Sequence, residues 1–361
     1  MRHRFGFILE QTLGHKTYAA NLRGVLGDEP QVTTVWGAVN FDTYGPLEHL
    51  PLLRNWTIRA GRQCRRQLAA MHRAGPLDAL FFHTQTVAVL TLDWLQRVPS
   101  IVSLDATPVQ IDRMAAAYGH STGAALVERL KATLHRACYR AARHLVTWSQ
   151  WTAESLMTDY GVPAAKISVI APGVATDFWR RAETPSERPG PLRVLFVGGD
   201  FWRKGGATLL AAARALPEGT VELHIVSRTE LNEQPGVMVY HGVQPNSVEL
   251  RALYHHCDLF CLPTTGDCMP LALIEAAAAG LPVISTALAA IPEVVRDGES
   301  GLLVPPDDAR ALAAALHCLG AAPERRHALG ARAAALAAEQ FDARRNGRRL
   351  LALLSQVAGQ H

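Results

Sequence analysis

The sequence has no apolar stretch near the roughly 20 residues that a helix needs to cross a bilayer. A short apolar run, Phe5 to Leu9, ends at once with Glu10, which is too brief for the core of a secretion signal. The six cysteines show no paired spacing of the kind that disulfide-rich domains have. These absences argue against a membrane-spanning or disulfide-scaffolded protein and favour a reducing, cytoplasmic location.

Lysine is also scarce. Only four lysines stand among the 36 basic residues, so 32 are arginines, and 32 acidic residues bring the formal net charge to +4. An excess this small does not provide the strong basic field that nucleic-acid binding needs. Hydrophobic residues make up 48% of the chain and charged residues 19%, which excludes disordered and low-complexity classes. We expect a globular protein with no nucleic-acid partner.

The length of 361 residues exceeds the about 250 to 300 residues that one core usually holds, so two domains are expected. Short β-branched or aromatic runs alternate with longer helical patterns, which is typical of βαβ units and parallel sheets. A polar, proline-rich stretch divides two such series. We predict an α/β chain with Rossmann-like domains over 1–176 and 192–340, a linker over 177–191, and a C-terminal helix over 341–361 that crosses back to the first domain.

The predicted strands form two sets of six. Doubly wound sheets bind ligands at the carboxyl ends of their strands, so two such domains are expected to face a central cleft. The first set is 5–9, 32–36, 79–83, 101–104, 145–148 and 167–170, and the second set is 193–197, 221–226, 237–240, 259–262, 283–285 and 302–304.

A glycine-rich turn opens the second series, in the segment VLFVGGDFWRKGG. Gly198 and Gly199 follow the strand pattern, and the next helical pattern begins just after Arg203 and Lys204. Such a turn lets backbone amides and a helix terminus approach a phosphate, and the two cations would neutralise its charge. The turn is neither a G-x-G-x-x-G nor a Walker A motif. By itself, the segment fits either an anion site or a solvated Arg–Lys pair.

Two acidic residues bracket the start of an alanine-rich helical pattern in the segment LPTTGDCMPLALIEAAAAGLPVI. Asp267 precedes the helix, and Glu275 falls eight positions later, inside it. The free N–H groups of a helix start and two carboxylates suit a ligand that carries phosphate and several hydroxyls. The alternative is that these carboxylates only complement the helix dipole.

In combination, these segments resemble the GT4 family of retaining glycosyltransferases, which have the GT-B fold of two Rossmann-like domains facing a cleft. The family pattern is a VG…KG…LL turn, then an acidic residue, seven others and Glu, then EAAAxGxPVI. Here the turn holds Gly198 and Lys204, the acidic pair is Asp267 and Glu275, and a matching segment follows over 291–308. Several spaced motifs in one order are more specific than any one of them alone.

The resemblance implies a role for each matching residue. Lys204, helped by Arg203, would hold the donor diphosphate and stabilise its charge as the glycosidic bond breaks. Glu275 would accept hydrogen bonds from the ribose, and Asp267 would act near the donor sugar or the phosphates. We expect no cofactor and no metal, because the chain lacks the Asp-x-Asp motif of metal-dependent glycosyltransferases. The other residues expected at the donor are Gly14, Gly198, Gly199, Cys268, Met269 and Leu271.

The chain departs from the family pattern at several points. Gly199 stands where the family has an arginine, so one phosphate cation is missing, and Arg203 would replace it only in part. Asp267 is one methylene shorter than the usual glutamate. Ala289 and Ala290 replace a glycine pair. These changes bear on the identity of the sugar more than on the reaction.

In the first half, residues 144–179 also resemble the family, whereas the first 140 residues match it only loosely. His83 ends a predicted strand where the family often has a histidine near the donor sugar, and we predict a catalytic role for it. A structural histidine is the alternative. Candidates for the acceptor side are His15, Asp105 and His120. An exposed loop histidine and a turn cap are the alternatives for the first two.

Arginines interleave with apolar residues between Arg54 and Arg66. A basic amphipathic helix there would contact anionic lipid at the inner face of a membrane, and a solvated helix face is the alternative.

We therefore predict a cytoplasmic hexosyltransferase of polysaccharide or glycoconjugate biosynthesis. It would move a sugar from a nucleotide diphosphate donor to a hydroxyl of a glycan, a lipid-linked acceptor or a small molecule, with retention of configuration and without a metal. The alternative is a catalytically silent relative that acts as a binding or partner subunit. The cation missing at Gly199 favours the alternative, and the presence of Lys204 and Glu275 favours the enzyme.

Overall fold

The structure is a computed structural model that describes residues 2–12, 14–27, 29–40, 55–119, 125–182, 189–232 and 234–359. The chain divides into two compact units. The first unit runs to Gly173 and resumes at Ala343, and the second runs from Val174 to Asp342. The sequence predicts a linker over 177–191. In the structure, the described parts of this segment, 177–182 and 189–191, belong to the second unit, and the first helix of that unit, Thr176–Trp179, overlaps it.

The first unit contains a six-stranded parallel sheet. Its strands are β1 (His3–Glu10), β2 (Val32–Val39), β3 (Ala79–His83), β4 (Ser100–Leu104), β5 (His144–Thr147) and β6 (Ile167–Val169). The helices between them are α1 (His15–Leu26), α2 (Trp56–Arg73), α3 (Gln85–Ala88), α4 (Leu92–Arg97), α5 (Pro108–Arg113), α6 (Ala115–Tyr118), α7 (Ala125–Ala141) and α8 (Gln150–Thr158), with a 3₁₀ turn over Ala164–Lys166. The strand order is β2-β1-β3-β4-β5-β6.

The second unit contains a second six-stranded parallel sheet. Its strands are β7 (Leu192–Val197), β8 (Val221–Val226), β9 (Val237–Tyr240), β10 (Leu259–Leu262), β11 (Val283–Thr286) and β12 (Gly301–Val304). Its helices are α9 (Thr176–Trp179), α10 (Gly206–Arg214), α11 (Val248–His256), α12 (Leu271–Ala278), α13 (Ile291–Val294), α14 (Ala309–Gly320) and α15 (Pro323–Gln340). The strand order is β12-β11-β10-β7-β8-β9.

Four interior strands are buried along their whole length, as is typical of strands covered by helices on both faces. Every residue of β3, β4, β10 and β11 is buried. In each sheet the strand order reverses once, between β1 and β3 in the first unit and between β7 and β10 in the second. In open α/β sheets, ligands bind at such a reversal, outside the carboxyl ends of the strands.

The last helix, α16 (Ala343–Ala358), belongs to the first unit. Its apolar side is buried, and the amide of Asn346 donates to the carbonyl of Ala171 at 3.0 Å. Close packing also requires two glycines. A Cβ at Gly347 would lie 2.9 Å from a methyl carbon of Val25, and a Cβ at Gly173 would lie 2.3 Å from the Cα of Ala343.

Substitution of Gly173 by alanine should therefore separate α16 from the segment it packs on. Because the added methyl meets backbone atoms that cannot rotate away, we expect a loss of about 1 to 3 kcal/mol in the free energy of unfolding, measured by thermal or urea denaturation. Gly24→Ala is the matched control, since a Cβ at this helical position meets nothing within 4 Å. The control should be neutral or slightly stabilising. Equal effects of the two substitutions would contradict the packing argument.

Candidate functional site

The strand-order reversal of the second unit brings two loops together. One loop follows β7 and holds the predicted phosphate turn, and the other follows β10 and holds Asp267. The loops are joined by hydrogen bonds to the carbonyl of Arg203, from the amide of Thr265 at 3.0 Å and from its hydroxyl at 2.9 Å. The strand order therefore explains why residues more than sixty positions apart in the chain share one site.

The predicted phosphate turn, residues 198–205, contains glycines where its backbone lies close to other atoms. Gly205 has φ +80°, and a Cβ there would lie 1.8 Å from the carbonyl oxygen of Pro263. A Cβ at Gly198 would lie 2.7 Å from the side-chain carbon Cδ of Lys204. Helix α10 begins directly after Gly205, without a side-chain cap. The turn therefore leaves the first backbone N–H groups of α10 without a capping side chain beside the lysine.

Three of the predicted site residues form one ionic cluster. The ammonium Nζ of Lys204 donates to both carboxylate oxygens of Asp267, at 2.9 and 3.1 Å. The guanidinium of Arg203 lies 3.3 Å from the same carboxylate and also donates to the carbonyl of Gly266. The hydroxyl of Thr264 donates to Asp267 at 2.9 Å. Sequence reasoning missed Thr264, and the signal for it is its place in the loop after a buried strand, the same loop that holds Asp267.

The cluster fixes the charge of Asp267. Its burial alone would raise the pKa of the carboxyl, but the charges of Lys204 and Arg203 and the hydrogen bonds from Lys204 and Thr264 outweigh burial and lower the pKa below its usual value. Asp267 is thus a carboxylate at neutral pH. It acts in this structure as the counter-ion of the lysine.

Glu275 lies in a different environment, inside α12. It is buried, and Oε2 accepts a hydrogen bond of 2.9 Å from the hydroxyl of Tyr254. Burial raises the pKa of Glu275 to about 7, and the hydrogen bond from Tyr254 offsets part of that effect. Sequence reasoning did not find Tyr254, which lies on α11. Near pH 7 this carboxyl is therefore present in both protonation states.

The remaining predicted donor residues of this unit lie between these two carboxyl groups in the chain. Cys268, Met269 and Leu271 are all buried, and the carbonyl of Cys268 accepts from the amide of Ala290 at 3.2 Å. Ala289 has φ +49°, a left-handed conformation that glycine adopts more easily. The alanine that replaces a glycine in the resembling pattern therefore keeps the backbone conformation of a glycine.

In the first unit, the strand-order reversal brings together His15, His83 and Asp105. Nδ1 of His15 lies 2.8 Å from Nε2 of His83, and Nε2 of His15 lies 3.7 Å from a carboxylate oxygen of Asp105. Sequence reasoning missed two aromatic neighbours. The ring of Trp148 stacks on His83 with centroids 5.0 Å apart, and the ring of Tyr18 lies 4.6 Å from it.

His83 is fully buried, and burial lowers its pKa well below the usual value, with a further contribution from the charge of His15. The imidazole is therefore neutral. Its Nδ1 is buried and makes no hydrogen bond to any described residue. Gly14 precedes α1 with nothing within 4 Å of a Cβ placed on it, so packing does not require glycine there. His120 lies outside the described residues, and its role remains a prediction.

The basic segment forms part of α2. Its Cys64 and Leu68 are buried, whereas Arg62 and Arg66 are exposed. Arg65 forms a two-pronged ion pair with Asp93, at 2.6 and 3.0 Å. Arg54 lies outside the described residues, and lipid contact remains a prediction. Across the described ranges, no helix is long and apolar enough to span a membrane.

One group of residues in the second unit has ligand atoms close enough to share a metal ion. These atoms, from Glu222, His224 and His256, lie within 4.8 Å of one another. Both ring nitrogens of His224 already have partners at 2.9 Å, the carboxylate of Glu222 and the hydroxyl of Tyr240. The group lies on β8 and α11, whereas the phosphate turn follows β7. Metal-free action at the turn remains a prediction.

A cavity of about 650 Å³ lies elsewhere in the second unit, at the amino ends of its strands, where Leu192 and Val221 line it. Ligands of this fold class bind at the carboxyl ends. One of its arginines, Arg326, donates to the carbonyls of Leu319 and Gly320. The ionic cluster, not this cavity, therefore marks the candidate site.

Two parallel six-stranded sheets with helices, the second in the order of a dinucleotide-binding fold, define the GT-B class of glycosyltransferase folds. Sucrose-phosphate synthase from Thermosynechococcus elongatus superimposes with a TM-score of 0.79 at 18% identity, over 100% of both chains. HepE from Anabaena, solved with UDP and glucose, gives a TM-score of 0.70 at 16% identity, over 98% of this chain and 100% of that one. The predicted fold class is confirmed.

Residues 16–178 match the model described as Glycosyltransferase Family 4, and residues 191–321 match that of Glycosyl transferases group 1. The chain belongs to the GT4, or group 1, family of glycosyltransferases. A glycosyltransferase named for colanic acid biosynthesis, WcaL from Salmonella typhimurium, is 36% identical over 175 residues, which are 43% of this chain and 42% of that protein. The chain thus spans less than half the length of this curated relative.

The raised pKa of Glu275 predicts a specific pH dependence of stability. Between pH 4.5 and about 7 the folded carboxyl retains a proton that the unfolded one loses, so its contribution to stability falls as the pH rises. Glu275→Gln removes this dependence. Relative to wild type, the variant should therefore gain about 3 kcal/mol in the free energy of unfolding between pH 4.5 and pH 8.

Urea unfolding of both proteins across this pH range measures the difference. Glu299→Gln is a suitable control, because Glu299 is partly exposed and its pairs with Arg332 and Arg296 lower its pKa, so it stays ionised over this pH range. A difference between wild type and Glu275→Gln that stays constant with pH would show that the folded carboxyl titrates normally.

Proposed function

We propose that this protein is a retaining glycosyltransferase that moves a hexosyl group from a nucleoside diphosphate sugar to a hydroxyl acceptor. Family membership supports the reaction class. The observation that carries the donor assignment is the convergence of Lys204 and Arg203 on a glycine turn at the strand-order reversal. Two cations beside an uncapped helix start form a site for a diphosphate.

The donor would bind with its phosphates at the turn and its ribose near Glu275. A diphosphate at the turn competes with Asp267 for the ammonium of Lys204. The carboxylate oxygen of Glu275 that Tyr254 does not occupy is left to accept from a ribose hydroxyl. The ionised form of Glu275 is the better acceptor, so ribose binding should strengthen as the pH rises through about 7.

In the reaction, the bond between the anomeric carbon and the phosphate oxygen breaks, and a bond from that carbon to the acceptor oxygen forms on the same face. The leaving phosphate takes the acceptor's proton. Lys204 and Arg203 stabilise the negative charge that develops on the diphosphate. Electrostatic stabilisation of this kind is usually the largest single contribution to the rate. These cations take the place of a metal, and we expect activity to persist in EDTA.

The nature of the donor is proposed from the structural neighbours. HepE has been solved with UDP and with UDP-glucose, which makes a uridine nucleotide the first donor to test. We propose a glycan, lipid-linked or small-molecule hydroxyl as the acceptor, with the exposed arginines of α2 in peripheral contact with anionic lipid.

Loss of Lys204 should weaken donor binding. Loss of one protein group that donates a charge-assisted hydrogen bond to a diphosphate typically lowers affinity about 10-fold to 100-fold. Lys204→Ala should therefore raise Kd by that factor. Isothermal titration with UDP-, GDP- and ADP-sugars measures it. Lys131→Ala is the matched control, because Lys131 is exposed and pairs with Glu128 on its own helix.

Two outcomes would contradict the proposal. Equal affinity of Lys204→Ala and wild type would remove the turn from the donor site. Tight donor binding with no release of nucleoside diphosphate, in the presence or absence of sugar and lipid-linked acceptors, would instead favour the catalytically silent relative.

A further inference from the structure

The charges of the phosphate turn are already balanced. Lys204 pairs with Asp267 at 2.9 Å, and Arg203 is shared between Asp267 and Asp200, each at 3.3 Å. Two cations therefore face two carboxylates. A diphosphate, which brings at least two further negative charges, needs a cation that the protein has not already neutralised.

Such a cation lies directly on the turn. A Cβ built on Gly199 would lie 3.0 Å from Nε and 3.1 Å from Nη2 of Arg228. The guanidinium of Arg228 thus packs against the bare Cα of Gly199, in the space that a side chain at position 199 would enter. Sequence reasoning predicted Gly199 as a donor-site glycine and as the loss of a cation, and it did not find Arg228, which lies 29 positions later.

The fold holds Arg228 at this point. It follows β8, the neighbour of β7 in the sheet, and the amide of Gly198 donates to the carbonyl of Val226 at 2.9 Å. One residue beyond Arg228, the hydroxyl of Thr229 accepts from the amide of Phe201 at 3.3 Å. Hydrogen bonds on both sides therefore tie the Arg228 loop to the phosphate turn.

The guanidinium of Arg228 is available for a ligand. Arg228 is exposed, and among the described residues its side chain forms no hydrogen bond or ion pair. Every other cation named at this turn is already paired. The planar fork of an arginine donates two parallel hydrogen bonds to a phosphate.

We infer that Arg228 is the third phosphate-binding cation of this site and contacts the donor's diphosphate, supplying from β8 the positive charge that the turn lacks at Gly199. The inference rests on the proposed function, since it assigns one more residue to the same donor site. It also explains why position 199 is glycine here, because a larger side chain would displace the guanidinium.

Binding of UDP, GDP and ADP to wild type and four variants tests this assignment by titration calorimetry. Arg228→Ala should raise Kd about tenfold for whichever nucleotide binds wild type, and Arg228→Lys should fall between them. The double variant Gly199→Arg with Arg228→Ala should restore Kd to within about threefold of wild type, because position 199 has no positive φ and its steric neighbour is gone. Arg214→Ala, an exposed arginine at the end of α10, should bind as wild type does.

The results separate this inference from the proposed function. If Lys204→Ala weakens binding but Arg228→Ala does not, the donor site stands and the assignment of Arg228 is wrong. Failure of the double variant to recover affinity, with its melting temperature unchanged, would also overturn the assignment. If wild type binds none of the three nucleotides, both proposals fall.

Discussion

The candidate site depends on the contact between residue 205 and the carbonyl of Pro263. A Cβ at position 205 would lie 1.8 Å from that oxygen, and the backbone there has φ +80°, so both sterics and conformation require glycine. Without this approach the loops after β7 and β10 would separate. The hydrogen bonds that Thr265 makes to Arg203, and the reach of Lys204 to Asp267, all follow from it.

The first unit uses the same topological device for different chemistry. Its reversal lies between β1 and β3, and the residues that meet there are His15 and His83. The second unit brings cations and carboxylates together, whereas the first brings two imidazoles against aromatic rings. Because burial holds His83 neutral, its imidazole can donate or accept single hydrogen bonds without adding a positive charge.

The sequence predicted the strands well, because buried parallel strands are short apolar runs between turn residues. Each of the twelve predicted strands overlaps a strand of the structure. Lys204 and Asp267 were predicted as parts of one site only through the spaced family motifs. The contacts of Arg228 with Gly199, Tyr254 with Glu275, and Trp148 with His83 were not predicted. These contacts join residues from distant segments of the chain. A local sequence pattern does not show which segments the strand order will bring together.

The two carboxyl groups of the candidate site show how position within one short segment decides charge. Asp267 and Glu275 are eight residues apart and both buried, yet burial is outweighed at Asp267 by two cations and prevails at Glu275, which has only a hydroxyl partner. The pKa values are therefore displaced in opposite directions. The carboxylate of Asp267 balances the positive charge of Lys204 within the protein. A carboxyl that titrates near pH 7 can exchange hydrogen bonds with neutral hydroxyls without the cost of a fixed buried charge.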